Sequence, residues 1–292
     1  MAAKEITWAN RLGRVAPAAA LALAAMSGGV PLAAQESPAA EAPPPVATYA
    51  DLVELVQKSA VVATVEVADQ RVVEPARAPG LEPGNVRLYL DTRMQGLLIG
   101  PAAAGANQIF LADMPADSRG RAPKIEKQRF LIFANPVAGR SGWLQLAEPD
   151  AMFAADPQLE QRVRAVIAEV TARDAPPRVT GVREAFSMAG NLAGESETQM
   201  FLDTANGAPV SLSVIRRPGM EPQWGVSWSE IVDQSAAAPR RDTLEWYRLA
   251  CFLPPQLPAE ANNQDDRAGR IQAEADYQYI RAELGACERV RG

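Results

Sequence analysis

Histidine does not occur among the 292 residues. Imidazole is the usual general base and proton shuttle near neutral pH and the commonest metal ligand, so triad chemistry and histidine-ligated metals are excluded. Cysteine is nearly absent, with only Cys251 and Cys287 near the end of the chain. Two thiols without histidine fall short of the four N or S ligands of a structural zinc site. Lys and Arg form no basic block and the net charge is −6. Nothing here would neutralise a run of phosphates, so nucleic acid is not an expected partner. There is no D-x-D-x-D-G loop for calcium, and no cofactor is expected. No apolar run reaches the ~20 residues that span a bilayer.

What is present begins with a leader. Lys4, Arg11 and Arg14 precede the apolar stretch Val15 to Met26, Ser27-Gly28-Gly29 breaks it, and Leu32-Ala33-Ala34 supplies small residues before Gln35. This is the pattern of a secretory signal over residues 1–34, cleaved between Ala34 and Gln35. The chain is then expected to be periplasmic or secreted, with no transmembrane segment. Loss of the leader removes three basic side chains and one acidic one, taking the charge from −6 to −8. In an oxidising compartment an even cysteine count predicts a Cys251–Cys287 disulfide.

Residues 35–47 include three consecutive prolines and little to bury, and read as a disordered tether. Thr48 with Asp51 has capping-box form and opens a short helix. Five β-rich runs follow, over residues 60–73, 86–99, 108–113, 129–134 and 143–146, separated by Gly and Pro turn signals. Asp51-Leu52-Val53, Ser59 through Val65 and Phe130 through Ala134 resemble the OB-like barrels of many uncharacterised exported bacterial proteins. The resemblance covers about residues 49–148 and implies a small antiparallel β-barrel. Netrin-like and metalloprotease-inhibitor relatives of such barrels engage their targets through cysteines, and this region has none.

Asp156-Pro157 predicts the start of an amphipathic helix that Pro176-Pro177 ends, and residues 149–175 read as a connecting helix. Beyond it, residues 176–292 predict a β-meander with strands at 179–188, 198–205, 208–216 and 223–231. Asn206-Gly207 is the turn of a two-residue hairpin. That loop places Asp203 opposite Val210 and Phe201 opposite Leu212, with Phe201 towards the core. Asp242 with Glu245 predicts a further capping box, and a last helix over residues 266–287 puts Cys287 on its apolar stripe. The fold class is therefore α+β, with an OB-like unit, a connecting helix, a meander and a disulfide-linked helical pair.

Two fragments look catalytic and are not. Gly194-Glu195-Ser196 begins like a nucleophile elbow, but Thr198 stands where the last glycine belongs and no histidine exists to take the proton. Leu90-Asp91-Thr92 and Leu202-Asp203-Thr204 begin like aspartic-protease loops, but Arg93 and Ala205 replace the required glycine. Asp91, Asp113 and Asp117 are scattered carboxylates that could form an acid/base pair. Trp224 and Trp228 share one face of a strand and read first as core, second as a ligand platform. The expected function is an exported, non-enzymatic binding or scaffold protein whose partner is an envelope protein or polymer. The alternative is a carboxylate-based hydrolase acting on envelope glycans, which needs no histidine. A third reading is an inhibitor or assembly role through the barrel loops.

Overall fold

A computed structural model describes residues 47–101, 105–229 and 236–291. The expected leader, its expected Ala34–Gln35 cleavage site and all but the last residue of the expected tether lie outside these residues. Residues 44–292 form one unit. Ala47 is fully buried, and its carbonyl accepts from Arg162 Nη2 at 2.8 Å. The first helix, α1 (Tyr49–Lys58), is closed at its N-terminus by the expected reciprocal cap. Asp51 N donates to Thr48 Oγ1 at 3.2 Å, and Thr48 N donates to Asp51 Oδ2 at 2.8 Å. Its apolar side buries Leu52, Val53, Leu55 and Val56.

The first sheet contains β1 (Val61–Val72), β2 (Asn85–Ile99), β3 (Asn107–Pro115), β4 (Arg129–Pro136), β5 (Leu144–Leu146) and β6 (Met152–Ala154). Its order is β3-β2-β1-β4-β5, with β6 also on β4. Val61 through Val65 are buried on both faces of the central strand. Three register shifts along β1 and β2 increase the coiling of the sheet. Its edges approach each other: Ile109 N donates to Gly142 O and Asp113 N to Pro149 O, each at 2.8 Å, with one parallel bridge between Ile109 and Trp143. No continuous ladder joins β3 to β5 among the described residues, so the expected barrel is instead a curled, open sheet. The cause is local, because Gly139, Gly142 and Pro149 confine β5 to three residues.

After α2 (Pro157–Thr171), with Asp156 as N-cap, the chain forms a second antiparallel sheet. Its strands are β7 (Val179–Ala189), β8 (Ser196–Thr204), β9 (Val210–Arg216) and β10 (Gln223–Ser227), in the order β10-β9-β8-β7. The Asn-Gly hairpin is shifted by one residue from the predicted register: Leu202 pairs with Val210, Met200 with Leu212 and Thr198 with Val214. The turn runs from Thr204 to Gly207, closed by Gly207 N to Thr204 O at 3.2 Å, and only Gly207 has positive φ, +74°. A three-residue loop of this kind spares Asn206 the left-handed conformation that a two-residue type I′ turn would impose on it. Because strand faces alternate, the shift turns every side chain of β8 over. Met200 and Leu202 enter the core, while Phe201 faces outward opposite Ser211.

The helices α3 (Leu244–Ala250) and α4 (Arg267–Leu284) complete the unit. The α3 cap is Thr243, one residue later than expected, and Asp242 instead adopts φ +59°. Cys251 and Cys287 form the disulfide, closing 36 residues of chain. Cys287 lies beyond α4 and not on its stripe, because Gly285 at φ +69° ends the helix. The disulfide therefore ties the end of α3 to a C-terminal strap. Along that strap Val290 N donates to Asp51 Oδ2 at 3.2 Å, Arg289 pairs with Glu54, and the Arg291 guanidinium lies 4.7 Å from the Phe153 ring. Arg291 and Asp150 attract by charge without a well-directed hydrogen bond. One apolar cluster runs from Ala47 to Leu284 through both sheets. No described helix is long and apolar enough to cross a membrane.

Candidate functional site

The catalytic-looking fragments have structural work. Glu195 Oε2 accepts from Asn191 N at 3.0 Å and Leu192 N at 3.2 Å, so this carboxylate closes the β7–β8 turn. Gly190 is needed there, since a Cβ on it would lie 2.3 Å from the Glu195 side chain. Thr198 is fully buried and meets Asp276 of α4, itself 0% exposed. Thr198 Oγ1 lies 2.8 Å from Ser187 Oγ and makes a short contact to Asp276 Oδ2. A carboxylate can only accept, so Thr198 gives its single proton to Asp276 and takes its other bond from Ser187. Asp276 Oδ1 accepts from Arg216 Nε at 2.6 Å and from Gln272 Nε2 at 3.1 Å. This latch holds α4 onto β7, β8 and β9.

The remaining carboxylates do not converge. Asp91 and Asp203 sit in different sheets, on β2 and β8. Asp113 is held by both arms of Arg87, Nε to Oδ1 at 2.7 Å and Nη2 to Oδ2 at 2.8 Å. Asp117 accepts from Arg121 N and Arg119 N within its own turn, and these bonds, the Arg121 contribution first, hold its carboxyl below the usual range. Among the described residues no group of three or more acidic or cysteine side chains is placed to hold a metal.

What does converge is a cavity of about 720 Å³ between the end of α2, β10, residues 236–240 and the start of α3. Its apolar wall includes Val226, Trp228 and Pro239, and its polar groups include Glu169, Arg240 and Glu245. The size falls within the range of small-molecule sites. Residues 236 and 237 cross β10 so closely that a Cβ on Gly225 would lie 2.1 Å from Ala236 O. Glycine there lets the backbone form the cavity rim. Trp224 and Trp228 are both half-buried, and among the described residues the buried Trp228 indole N–H has no hydrogen-bond partner. An unpaired buried donor of this kind costs stability.

The two glutamates differ in environment. Glu169 Oε2 accepts from Tyr49 Oη and from Leu244 N, each at 2.7 Å, so it braces α1 to α2 and satisfies the first free N–H of α3. Burial, and then this neighbouring carboxylate, push the Tyr49 hydroxyl far above its ordinary value. Glu245, one residue into α3, is raised by burial first and by the charge of Glu169 second, with Arg240 opposing. No local pattern marks this pairing, since Glu169, Trp228 and Glu245 are distant in the chain and meet only through packing. No protein-family model matches the chain, and no curated protein matches it either.

Proposed function

We propose that this is an exported, non-enzymatic binding protein of the cell envelope that takes its ligand into the cavity between α2, β10 and α3. The observation that carries the reading is a cavity of about 720 Å³ whose wall joins the apolar Val226, Trp228 and Pro239 to the polar Glu169, Arg240 and Glu245. The apolar part of a ligand would cover Val226 and the indole ring while its polar groups face Arg240. Export rests on the leader pattern of residues 1–34 with cleavage between Ala34 and Gln35, and on the disulfide, which persists in an oxidising compartment. The OB-like reading of residues 49–148 is supported by the parallel approach of β3 to β5 across the open edge.

A hydrolase acting on envelope glycans has one specific observation in its favour: Glu245, with raised proton affinity, shares the cavity with a second carboxylate. An acid and a base in one cleft are what glycoside hydrolysis needs. Against it, Glu169 holds two protein donors and serves as a brace. The test incubates the mature chain with fragments of envelope polymers and reads retained material by native mass spectrometry. Binding predicts a ligand of unchanged mass, lost in Trp228→Leu. New reducing ends that disappear in Glu245→Gln would establish the hydrolase instead.

A further inference from the structure

A second groove lies on the outer face of the first sheet, about 360 Å³ in volume, where the edge of β3 meets the β4–β5 connection. Register places Arg71, Tyr89 and Leu111 in one row across β1, β2 and β3. Trp143 comes from the β4–β5 side to meet Tyr89 edge-on, ring centroids 5.7 Å apart, and Arg140 stacks over Trp143 at 5.2 Å. Leu111 is 43% exposed on the groove wall, where an edge strand's outward side chain is ordinarily polar. An apolar and aromatic wall in the open is the mark of a contact surface.

The charges say what kind. The acids lining the groove are neutralised within the protein: Asp113 by Arg87, and Glu148 by Lys58 and Arg291. Arg140 also lines it, is exposed, and has no ion pair among the described residues. The groove therefore presents one uncompensated guanidinium beside a flat apolar wall, despite the acidic charge of the whole chain, which salt screens beyond about 8 Å. A nucleic acid strand carries a charge on every nucleotide and would need a row of such cations. A single carboxylate beside the apolar face of one sugar ring matches better, since the guanidinium fork is shaped for a carboxylate and aromatic faces suit the apolar face of a sugar ring.

We propose that this groove binds an acidic sugar residue of a polysaccharide, its carboxylate on Arg140 and its ring against Leu111 and Trp143. The envelope as source of the polymer rests on the export reading above, whereas the chemistry of the groove does not. The test titrates the mature, disulfide-bonded chain with trigalacturonate, with its methyl ester, which keeps the rings and removes the charge, and with a thymidine dinucleotide. Calorimetry reads binding to the parent, to Arg140→Gln and to Trp143→Leu. The acid is expected to bind, with the ester and Arg140→Gln each weakening binding about tenfold or more, as loss of a charge-assisted pair does. Trp143 also supports the β3–β5 approach, so Arg140→Gln, at an exposed position, is the variant that keeps the test clear of folding. Equal affinity for acid and ester, no binding of the acid, an unaffected Arg140→Gln, or tighter binding of the dinucleotide would each overturn the proposal. Acid binding lost in Trp228→Leu and retained in Arg140→Gln would overturn it while leaving the cavity reading intact.

Discussion

Replacing Asp276 by alanine tests the latch that fixes α4 on the second sheet. The carboxylate is 0% exposed and accepts from Thr198, Arg216 and Gln272. Removing one partner of a buried ion pair costs about 3–5 kcal/mol, because the other charge stays behind without compensation. Here the Arg216 side chain is 29% exposed, so water recovers part of its solvation, and the hydroxyls of Thr198 and Ser187 still have each other. The expected loss is therefore about 2–4 kcal/mol, combining the discounted ion pair with a partly unsatisfied buried hydroxyl. For a chain of this size that lowers Tm by roughly 4–16 °C. Asp276→Asn keeps one acceptor and the side-chain volume and should lose less. Urea unfolding followed by tryptophan fluorescence gives the free energy. A loss below about 1 kcal/mol for the alanine variant, or a larger loss for asparagine, would refute the assignment of the latch as a stability determinant.

Three further outcomes are expected. Cys251→Ser with Cys287→Ser opens a loop of 36 residues and should cost about 4 kcal/mol in the chain-entropy treatment, read by urea unfolding; an unchanged midpoint would show that the strap is held without it. Glu245 has a raised pKa in the folded state, so the native chain binds more protons than the unfolded one above the ordinary glutamate value, and stability falls as pH rises through that window. Glu245→Gln should therefore flatten the dependence of Tm on pH there, and an unaltered slope would remove the burial account. Gly207→Ala places a side chain at φ +74° and should cost about 1–2 kcal/mol by thermal melting, whereas a neutral result would mean that the turn readily adopts another form.

Local signals survived translation into structure, and of the long-range expectations the Cys251–Cys287 pairing did while barrel closure did not. Thr48 with Asp51, and Asp156 before Pro157, close helix ends within three or four residues, so sequence alone places them. The β-rich runs likewise became β1 to β5, but whether β3 and β5 close a barrel depends on how long β5 is, which three turn-forming residues decide. Asn206-Gly207 marked the hairpin correctly while leaving its loop length open. Placing Met200, Leu202, Val210 and Leu212 on one face would have required the three-residue loop, and that pattern was present in the chain. Gly285 similarly marked the end of α4 short of Cys287. The cavity had no such trace, because Glu169, Trp228 and Glu245 lie on three elements whose packing creates it.

Indole ¹⁵N spectra of a chain starting at Gln35, titrated with a solubilised digest of envelope polymers, report ligand entry into the cavity. The four tryptophans beyond residue 34 lie at 143, 224, 228 and 246, so the cavity and the sheet groove report separately. The Trp228 resonance is expected to shift saturably while the digest keeps its composition. An unmoved Trp228, or release of new reducing ends as the titration proceeds, would contradict it.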